Sequence, residues 1–144
     1  MSRPSFEHIH MEMAKLIVRR STCARLSVGC VIASADYRKV LAVGYNGNAS
    51  GLPNGCDSTT PGSCGCLHGE CNAITNCDAP RSIEKIVFVT DLPCKMCAKM
   101  LVNLGNVKKV YYGRDYRLRE GEEVLKQAGI PIEKFEGDLT HEHV

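Results

Sequence analysis

The chain has 144 residues and a net charge of +2, with 44% hydrophobic and 24% charged residues. This composition is ordinary for a globular domain and excludes disordered, coiled-coil and collagen-like chains. The weak positive charge does not favour a long groove that follows nucleic-acid phosphates, and no stretch reaches the roughly 18 apolar residues of a membrane helix. The polar N-terminus is unlike a signal peptide, so we expect a single cytoplasmic domain over residues 1–144.

Helical and strand-like segments follow one another along the chain. Helical spacing predicts helices over residues 5–20, with Ser5 as N-cap, and over 68–77, 94–104 and 120–128. Short apolar runs predict strands over 28–33, 39–45, 82–90, 107–112 and 130–135, of which the first two form a hairpin. The alternation in the second half favours right-handed crossovers and a mostly parallel sheet. Residues 46–67 are predicted to be a long Cys/Gly-rich loop and 136–144 a tail.

Nine cysteines are unusual for so short a chain. Their odd number and the lack of an export signal favour metal ligation or reduced thiols over a disulfide framework. Cys30, Cys71 and Cys77 are expected to be packing residues, since a free cysteine behaves as a small hydrophobic side chain. The remaining six cysteines are therefore the candidate metal ligands.

Two motifs open the second and third predicted helices: His68-Gly69-Glu70, and Pro93-Cys94 followed by Cys97. The pattern H-x-E followed by P-C-x-x-C is the signature of zinc deaminases that act on nucleobases. One imidazole and two thiolates leave the fourth zinc position open for water, as in catalytic sites, and a helix N-terminus favours thiolates. We predict a catalytic zinc bound by His68, Cys94 and Cys97, with Glu70 as the proton shuttle.

Four further cysteines precede these motifs. Cys23 follows the first helix, and Cys56, Cys64 and Cys66 lie in the long loop. A closed site of four thiolates is what a structural zinc prefers, and it would order a loop that has few apolar residues. The alternative is that these cysteines are reduced surface or core thiols.

The sequence resembles the deoxycytidylate (dCMP) deaminase family, within the cytidine deaminase superfamily, over about residues 10–132. The resemblance rests on the segments Arg20–Arg25, Val28–Ile32, Gly44–Gly47, Cys56–Asp57, His68–Ile74, Val89–Cys94 and Cys97–Met100. It implies a three-layer α/β/α sandwich around a five-stranded mixed sheet, and hydrolytic deamination of dCMP to dUMP. The chain departs from the family pattern at Gly69 and at Cys30, where the family usually has alanine.

The resemblance also implies roles for single residues and for partners. Asn46 would hold the deoxyribose, and Gly69 would present its backbone to the pyrimidine. Some members carry a second zinc at cysteines that match Cys23 and Cys56, and many are homo-oligomers, commonly hexamers, activated by dCTP and inhibited by dTTP.

Several residues are candidates for binding the substrate phosphate. Loops at the carboxyl ends of parallel strands line the binding crevice of such sheets, which favours Tyr116 and Arg117 and keeps Arg114 open. Arg25, before the first strand, is another candidate.

Two other functions stay open at this stage. The first is deamination of another cytosine or adenine substrate, such as cytidine, a free base, tRNA or single-stranded DNA. A nucleic-acid substrate would favour more stacking aromatics than a chain with no tryptophan and three phenylalanines offers. The second is a non-catalytic zinc module that binds a nucleotide or a protein, which would not need Glu70.

Overall fold

The computed structural model describes residues 3–60, 63–116 and 118–137. The helices are α1 Phe6–Ile17, α2 Gly69–Asn76, α3 Lys95–Leu104 and α4 Glu120–Gln127, and a short 3-10 helix, Val18–Arg20, follows α1. The strands are β1 Gly29–Ser34, β2 Val40–Tyr45, β3 Lys85–Asp91, β4 Val107–Arg114 and β5 Ile132–Lys134. No helix among the described residues has the length and apolar character needed to cross a membrane. Most of the predicted tail, residues 138–144, lies outside the described residues.

The predicted order of helices and strands agrees with the structure, with small differences at the ends of elements. Ser5 caps α1 as expected, because its hydroxyl accepts a hydrogen bond from the His8 N–H at 3.1 Å. The prediction for β3 was wrong at its start, since residues 80–83 form a turn in which the Ile83 N–H donates to the Pro80 carbonyl at 3.0 Å. The strand therefore begins at Lys85.

The five strands form one mixed sheet in the order β2-β1-β3-β4-β5. β1 pairs antiparallel with both β2 and β3, whereas β3, β4 and β5 are parallel. The sheet is thus not mostly parallel, because the hairpin inserts β1 directly beside β3 and makes half of the pairings antiparallel. A hairpin can be joined by a tight turn, while each parallel pairing needs a helical crossover.

Helices cover both faces of this sheet. Alternate residues of a strand point to opposite faces, and the two apolar clusters divide accordingly. One face packs against α2, α3 and α4 through residues that include Cys30, Ile32, Val87, Val89 and Val110. The other packs against α1 through Val31, Ala33, Ile86, Phe88 and Tyr111, which lie under Met11 and Ala14. This is the expected three-layer α/β/α arrangement.

Short connections at one end of the sheet bring together the two motifs with zinc-binding side chains, which open α2 and α3. Asp91 ends β3, and the chain then passes through Leu92 and Pro93 directly into α3. α4 packs closely against this segment, since a Cβ at Gly121 would clash with the Pro93 carbonyl oxygen. The long loop closes on itself where Gly47 and Leu67 exchange backbone hydrogen bonds of 3.0 and 2.7 Å. The loop therefore returns the chain to the start of α2, next to α3.

Candidate active site

A cavity of about 430 Å³ lies beside the start of α2 and the carboxyl ends of β3 and β4. It is lined by most of the residues singled out in the sequence, together with several apolar ones: Cys23, Arg25, Leu26, Val28, Asn46, Cys64, Cys66, His68, Glu70, Asp91, Leu92, Cys94 and Tyr116. A volume of this order suits a small molecule such as a nucleotide.

His68, Cys94 and Cys97 meet at one edge of this cavity. The His68 Nδ1 atom lies 3.5 Å from the Cys94 Sγ and 3.3 Å from the Cys97 Sγ. Both motifs are held at helix N-termini, since His68 precedes the first residue of α2 and Cys94 is the N-cap of α3. The Cys94 Sγ accepts a hydrogen bond from the Cys97 N–H at 3.4 Å. The spacing of the two motifs in sequence therefore becomes one cluster of three donor atoms.

The three donors fit a zinc ion. Bonds of about 2.3 Å to sulfur and about 2.0 Å to nitrogen in a tetrahedron place the two donor atoms roughly 3.5 Å apart, close to the distances between His68 and the thiols. Hydrogen bonds from the Cys97 thiol and from His68 hold the pKa of the Cys94 thiol at about 4, which supplies a thiolate at neutral pH. Cys97 is buried while His68 is exposed, so the cluster is open on the side of the cavity.

Glu70 lies in the same cavity, on the first turn of α2 and only 3% exposed. Burial raises the pKa of this carboxyl to about 7, near the value that serves a general acid and base at neutral pH. Cys30, the departure from the family pattern in β1, is fully buried close to Glu70, and burial raises the pKa of its thiol. The sequence prediction that Cys30 is a core residue is therefore confirmed.

The structure also gathers the four remaining cysteines into a second cluster, which we call the four-cysteine cluster: Cys23, Cys56, Cys64 and Cys66. Their sulfur atoms all lie within 4.8 Å of one another. The Cys56 Sγ is 3.8 Å from the Cys23 Sγ and 3.7 Å from the Cys66 Sγ, and a tetrahedral zinc thiolate site requires about 3.8 Å. All nine cysteines are free. The donor set thus fits a closed zinc site.

Asn46 is buried between the cavity and the segment that leads into β1. Its Oδ1 accepts hydrogen bonds of 2.8 Å from both the Val28 N–H and the Ser21 hydroxyl, and its Nδ2 donates to the Leu26 carbonyl. Both lone pairs of the carbonyl are therefore used within the protein, and one N–H of the amide is left for a ligand. The sequence did not indicate this bracing role, because it depends on contacts 18 to 25 residues apart.

Of the candidates for phosphate binding, Arg25 and Tyr116 line the cavity, and Arg117 lies outside the described residues. Tyr116 also packs against the apolar cluster beneath α2, α3 and α4. Arg114 instead pairs with Asp91 at 3.0 Å. Asp91, which the sequence analysis did not single out, also lines the cavity. Its place at the carboxyl end of a parallel strand is the signal that could have identified it.

Gly69 lies between the metal-ligand candidate His68 and Glu70, and its surroundings explain why glycine fits there. A Cβ at this position would lie 2.7 Å from the Val28 carbonyl oxygen and 3.2 Å from the Val28 carbonyl carbon. These are backbone atoms at the entry to β1, which a side-chain rotation cannot move aside. The family's usual alanine would thus be crowded in this chain.

Gly69→Ala is expected to destabilise the protein by about 1–3 kcal/mol, the usual cost of overpacking. Relief of the contact would displace Val28 or the start of α2, and both border the cavity, so the KM for the substrate should also rise. Urea denaturation of the two proteins, together with steady-state kinetics, tests this expectation. An unchanged free energy of unfolding would contradict the close contact.

Comparison with known proteins places these features in a family. Residues 4–114 match the family model described as the cytidine and deoxycytidylate deaminase zinc-binding region. The ComE operon protein 2 of Bacillus subtilis is 35% identical, over 96% of this chain and 75% of that protein. The deoxycytidylate deaminase of Saccharomyces cerevisiae is also 35% identical, over 94% of this chain but only 46% of the yeast enzyme.

A solved structure supports the same family assignment. The dCMP deaminase of the cyanophage S-TIM5, crystallised in complex with dCMP and dUMP, superposes with a TM-score of 0.82 at 34% identity. The alignment covers 94% of this chain and 100% of the phage chain. With a family match over most of the sequence and the three-layer fold that the resemblance implied, the chain belongs to the family of zinc-dependent cytidine and deoxycytidylate deaminases.

Proposed function

We propose that this protein deaminates dCMP hydrolytically to dUMP, using a zinc ion bound by His68, Cys94 and Cys97 and a proton shuttle at Glu70. The observation that carries the proposal is the buried Glu70 carboxyl, which shares one cavity with the three zinc-binding donors. The phage enzyme at 34% identity, which binds dCMP and dUMP, supports the choice of substrate.

Zinc at this site supplies Lewis acidity, which lowers the pKa of a water molecule from about 16 to about 7. Glu70 takes a proton from the water that adds to C4 of cytosine and delivers it to N3. Glu70 then takes the remaining proton from the new C4 hydroxyl and passes it to the amino group, so that the C4–N4 bond breaks, C4 becomes a carbonyl and ammonia departs. A carboxyl with a pKa near 7 can both accept and donate in this sequence.

We propose that the remaining walls of the cavity bind the rest of the substrate. The second N–H of the Asn46 amide would bind a hydroxyl of the deoxyribose, and the backbone of Gly69, next to Glu70 in the sequence, would contact the pyrimidine, as the family resemblance implies. Arg25 and Tyr116 provide a cation and a phenol for the 5′-phosphate, and we propose that Arg117 joins them. Guanidinium groups bind phosphate oxygens with paired N–H donors.

The direct test is turnover of dCMP, cytidine and adenosine by the purified protein, with release of ammonia as the readout. We expect dCMP to be deaminated with a kcat/KM far above that of the other two. Preference for cytidine or adenosine would assign a different deaminase activity. Failure to turn over any of the three would favour a zinc-binding module without catalysis.

We propose that a second zinc occupies the four-cysteine cluster. Each chain is then expected to contain two zinc ions, because both clusters offer donors at zinc-compatible distances. Metal analysis of the active protein after gel filtration checks this number. A value near one per chain in fully active protein would contradict the second site and leave the catalytic site in place.

The family resemblance also leads us to propose a cytoplasmic homo-oligomer, commonly a hexamer, regulated by dCTP and dTTP. The free state of all nine cysteines supports a reducing compartment. Exposed apolar side chains on α1, at Phe6, Ile9 and Leu16, support an association surface. Light scattering would give the subunit number, and assays with added dCTP or dTTP would test for regulation.

A further inference from the structure

Arg25 lies on a stretch of chain that has no regular secondary structure. Residues 21–28 connect the 3-10 helix to β1 without forming a helix or strand. The first anchor of this stretch is the Asn46 carboxamide, which binds the backbone at Leu26 and Val28 and the Ser21 hydroxyl. These contacts hold residues on either side of Arg25, but none of them involves Cys23 or Ala24, the two residues directly before it.

The second anchor is the four-cysteine cluster, and it holds the residues directly before Arg25. Cys23 is a member of the cluster, and the Ala24 N–H donates to the Cys56 Sγ at 3.4 Å. The three other members of the cluster all come from the long loop between Gly47 and Leu67. A metal ion at the cluster would therefore tie the backbone at positions 23 and 24 to a distant segment of the chain.

Arg25 needs such an anchor to recognise a phosphate. Among the described residues that line the cavity, it is the one arginine or lysine, and its side chain is exposed and long. An arginine binds phosphate well when its planar donors are held in a fixed orientation. Loss of this fixed orientation removes binding that the substrate and the transition state share, which raises KM and leaves kcat nearly unchanged.

We propose that a metal ion at the four-cysteine cluster fixes the position of Arg25, so that this arginine binds the 5′-phosphate and gives the enzyme its preference for a nucleotide substrate. The inference rests on the proposed function, because it assumes a nucleotide substrate. Cys23, Cys56, Cys64 and Cys66 act in it as positioning residues. The metal at the cluster takes no part in the deamination itself.

The test uses Cys56→Ser, which removes a cluster ligand that does not line the cavity. We expect zinc to fall from two ions to one per chain and the KM for dCMP to rise roughly 10-fold, with kcat changed less than about 2-fold. Calorimetric titration with the product dUMP gives a readout that is independent of turnover, and its dissociation constant should rise by the same factor. Cys64→Ser removes a different ligand and serves as a second variant if the first does not fold.

Arg25→Ala distinguishes positioning from general loosening of the fold. If the cluster acts through Arg25, the double variant Arg25→Ala/Cys56→Ser binds dUMP no more weakly than Arg25→Ala alone, which is a non-additive result. Cys77→Ser is the matched control, because Cys77 is half-buried and belongs to neither cluster. It should keep both zinc ions and normal dUMP affinity.

Three results would overturn the inference: a wild type with one zinc, loss of the second zinc with no change in dUMP affinity, or effects of the two substitutions that add. The proposed function fails in a different way, namely when the wild type neither binds dUMP nor deaminates dCMP. Additive effects in an enzyme that is active on dCMP would leave the proposed function intact.

Discussion

Glu70→Gln is expected to lower kcat for dCMP roughly 10²–10⁴-fold, the usual contribution of general acid–base catalysis, while the zinc content stays the same. The amide has the size of the carboxyl and fits the same buried place, where Glu70 is 3% exposed. It cannot take a proton from water at neutral pH, so neither N3 nor the leaving amino group is protonated efficiently. The affinity for dUMP should change little, because the lost interaction is made chiefly in the transition state.

The measurement combines steady-state kinetics with metal analysis of the same samples. Glu84→Gln is a suitable control, since Glu84 is exposed before β3, at the end of the strand away from the cavity, and contacts Lys108 at 3.7 Å. That variant should have normal kcat and KM. A Glu70→Gln enzyme with nearly normal kcat would exclude Glu70 as the proton shuttle and would require another acid in the cavity, of which Asp91 is the first to test.

Local signals in the sequence were sufficient to predict most elements of the fold. Ser5 precedes α1 as a side-chain cap, and Pro93 separates β3 from α3. Gly105 ends α3 with a φ of 93° that favours glycine. Each of these signals acts over a few residues, which is why it is readable without knowledge of the tertiary structure.

Features that depend on distant contacts were not predictable in this way. Lys85 begins β3 and is completely buried, with its Nζ donating to the carbonyls of Ile83 at 2.7 Å and Gly105 at 2.9 Å. A lysine at this position would normally be assigned to the surface. Likewise, no local pattern shows that β1 inserts beside β3, because that pairing is decided by how the hairpin packs under α1 and α2.

The candidate site was predictable to the extent that its residues have distinctive chemistry. His68 lies 26 residues before Cys94 and 29 before Cys97, but both motifs mark helix N-termini and both carry zinc-binding side chains. The four-cysteine cluster was predicted from the three cysteines of the long loop together with Cys23, which follows the first helix. The bracing role of Asn46 could not, because an amide is common in many settings and its partners are fixed only by the fold.

Cys94→Ala and Cys94→Ser are both expected to remove one zinc ion per chain and reduce deamination to background. Cys94 has two functions at the start of α3, since its thiolate is a metal-ligand candidate and its Sγ accepts the Cys97 N–H at 3.4 Å. Serine keeps a capping oxygen, whereas alanine loses it at a cost of about 1 kcal/mol. The alanine variant should therefore unfold at lower urea concentration than the serine variant, although both are equally inactive.

Zinc content measured after dialysis against a chelator, and urea denaturation of the two variants, separate the two functions of Cys94. Cys71 offers a control, because it belongs to neither cysteine cluster. The variant Cys71→Ser should therefore keep the zinc content of the wild type. Retention of full zinc by Cys94→Ser would contradict the ligand assignment, since an uncharged hydroxyl does not replace a thiolate whose pKa is about 4. Equal stability of the alanine and serine variants would instead contradict the capping role and leave the ligand assignment standing.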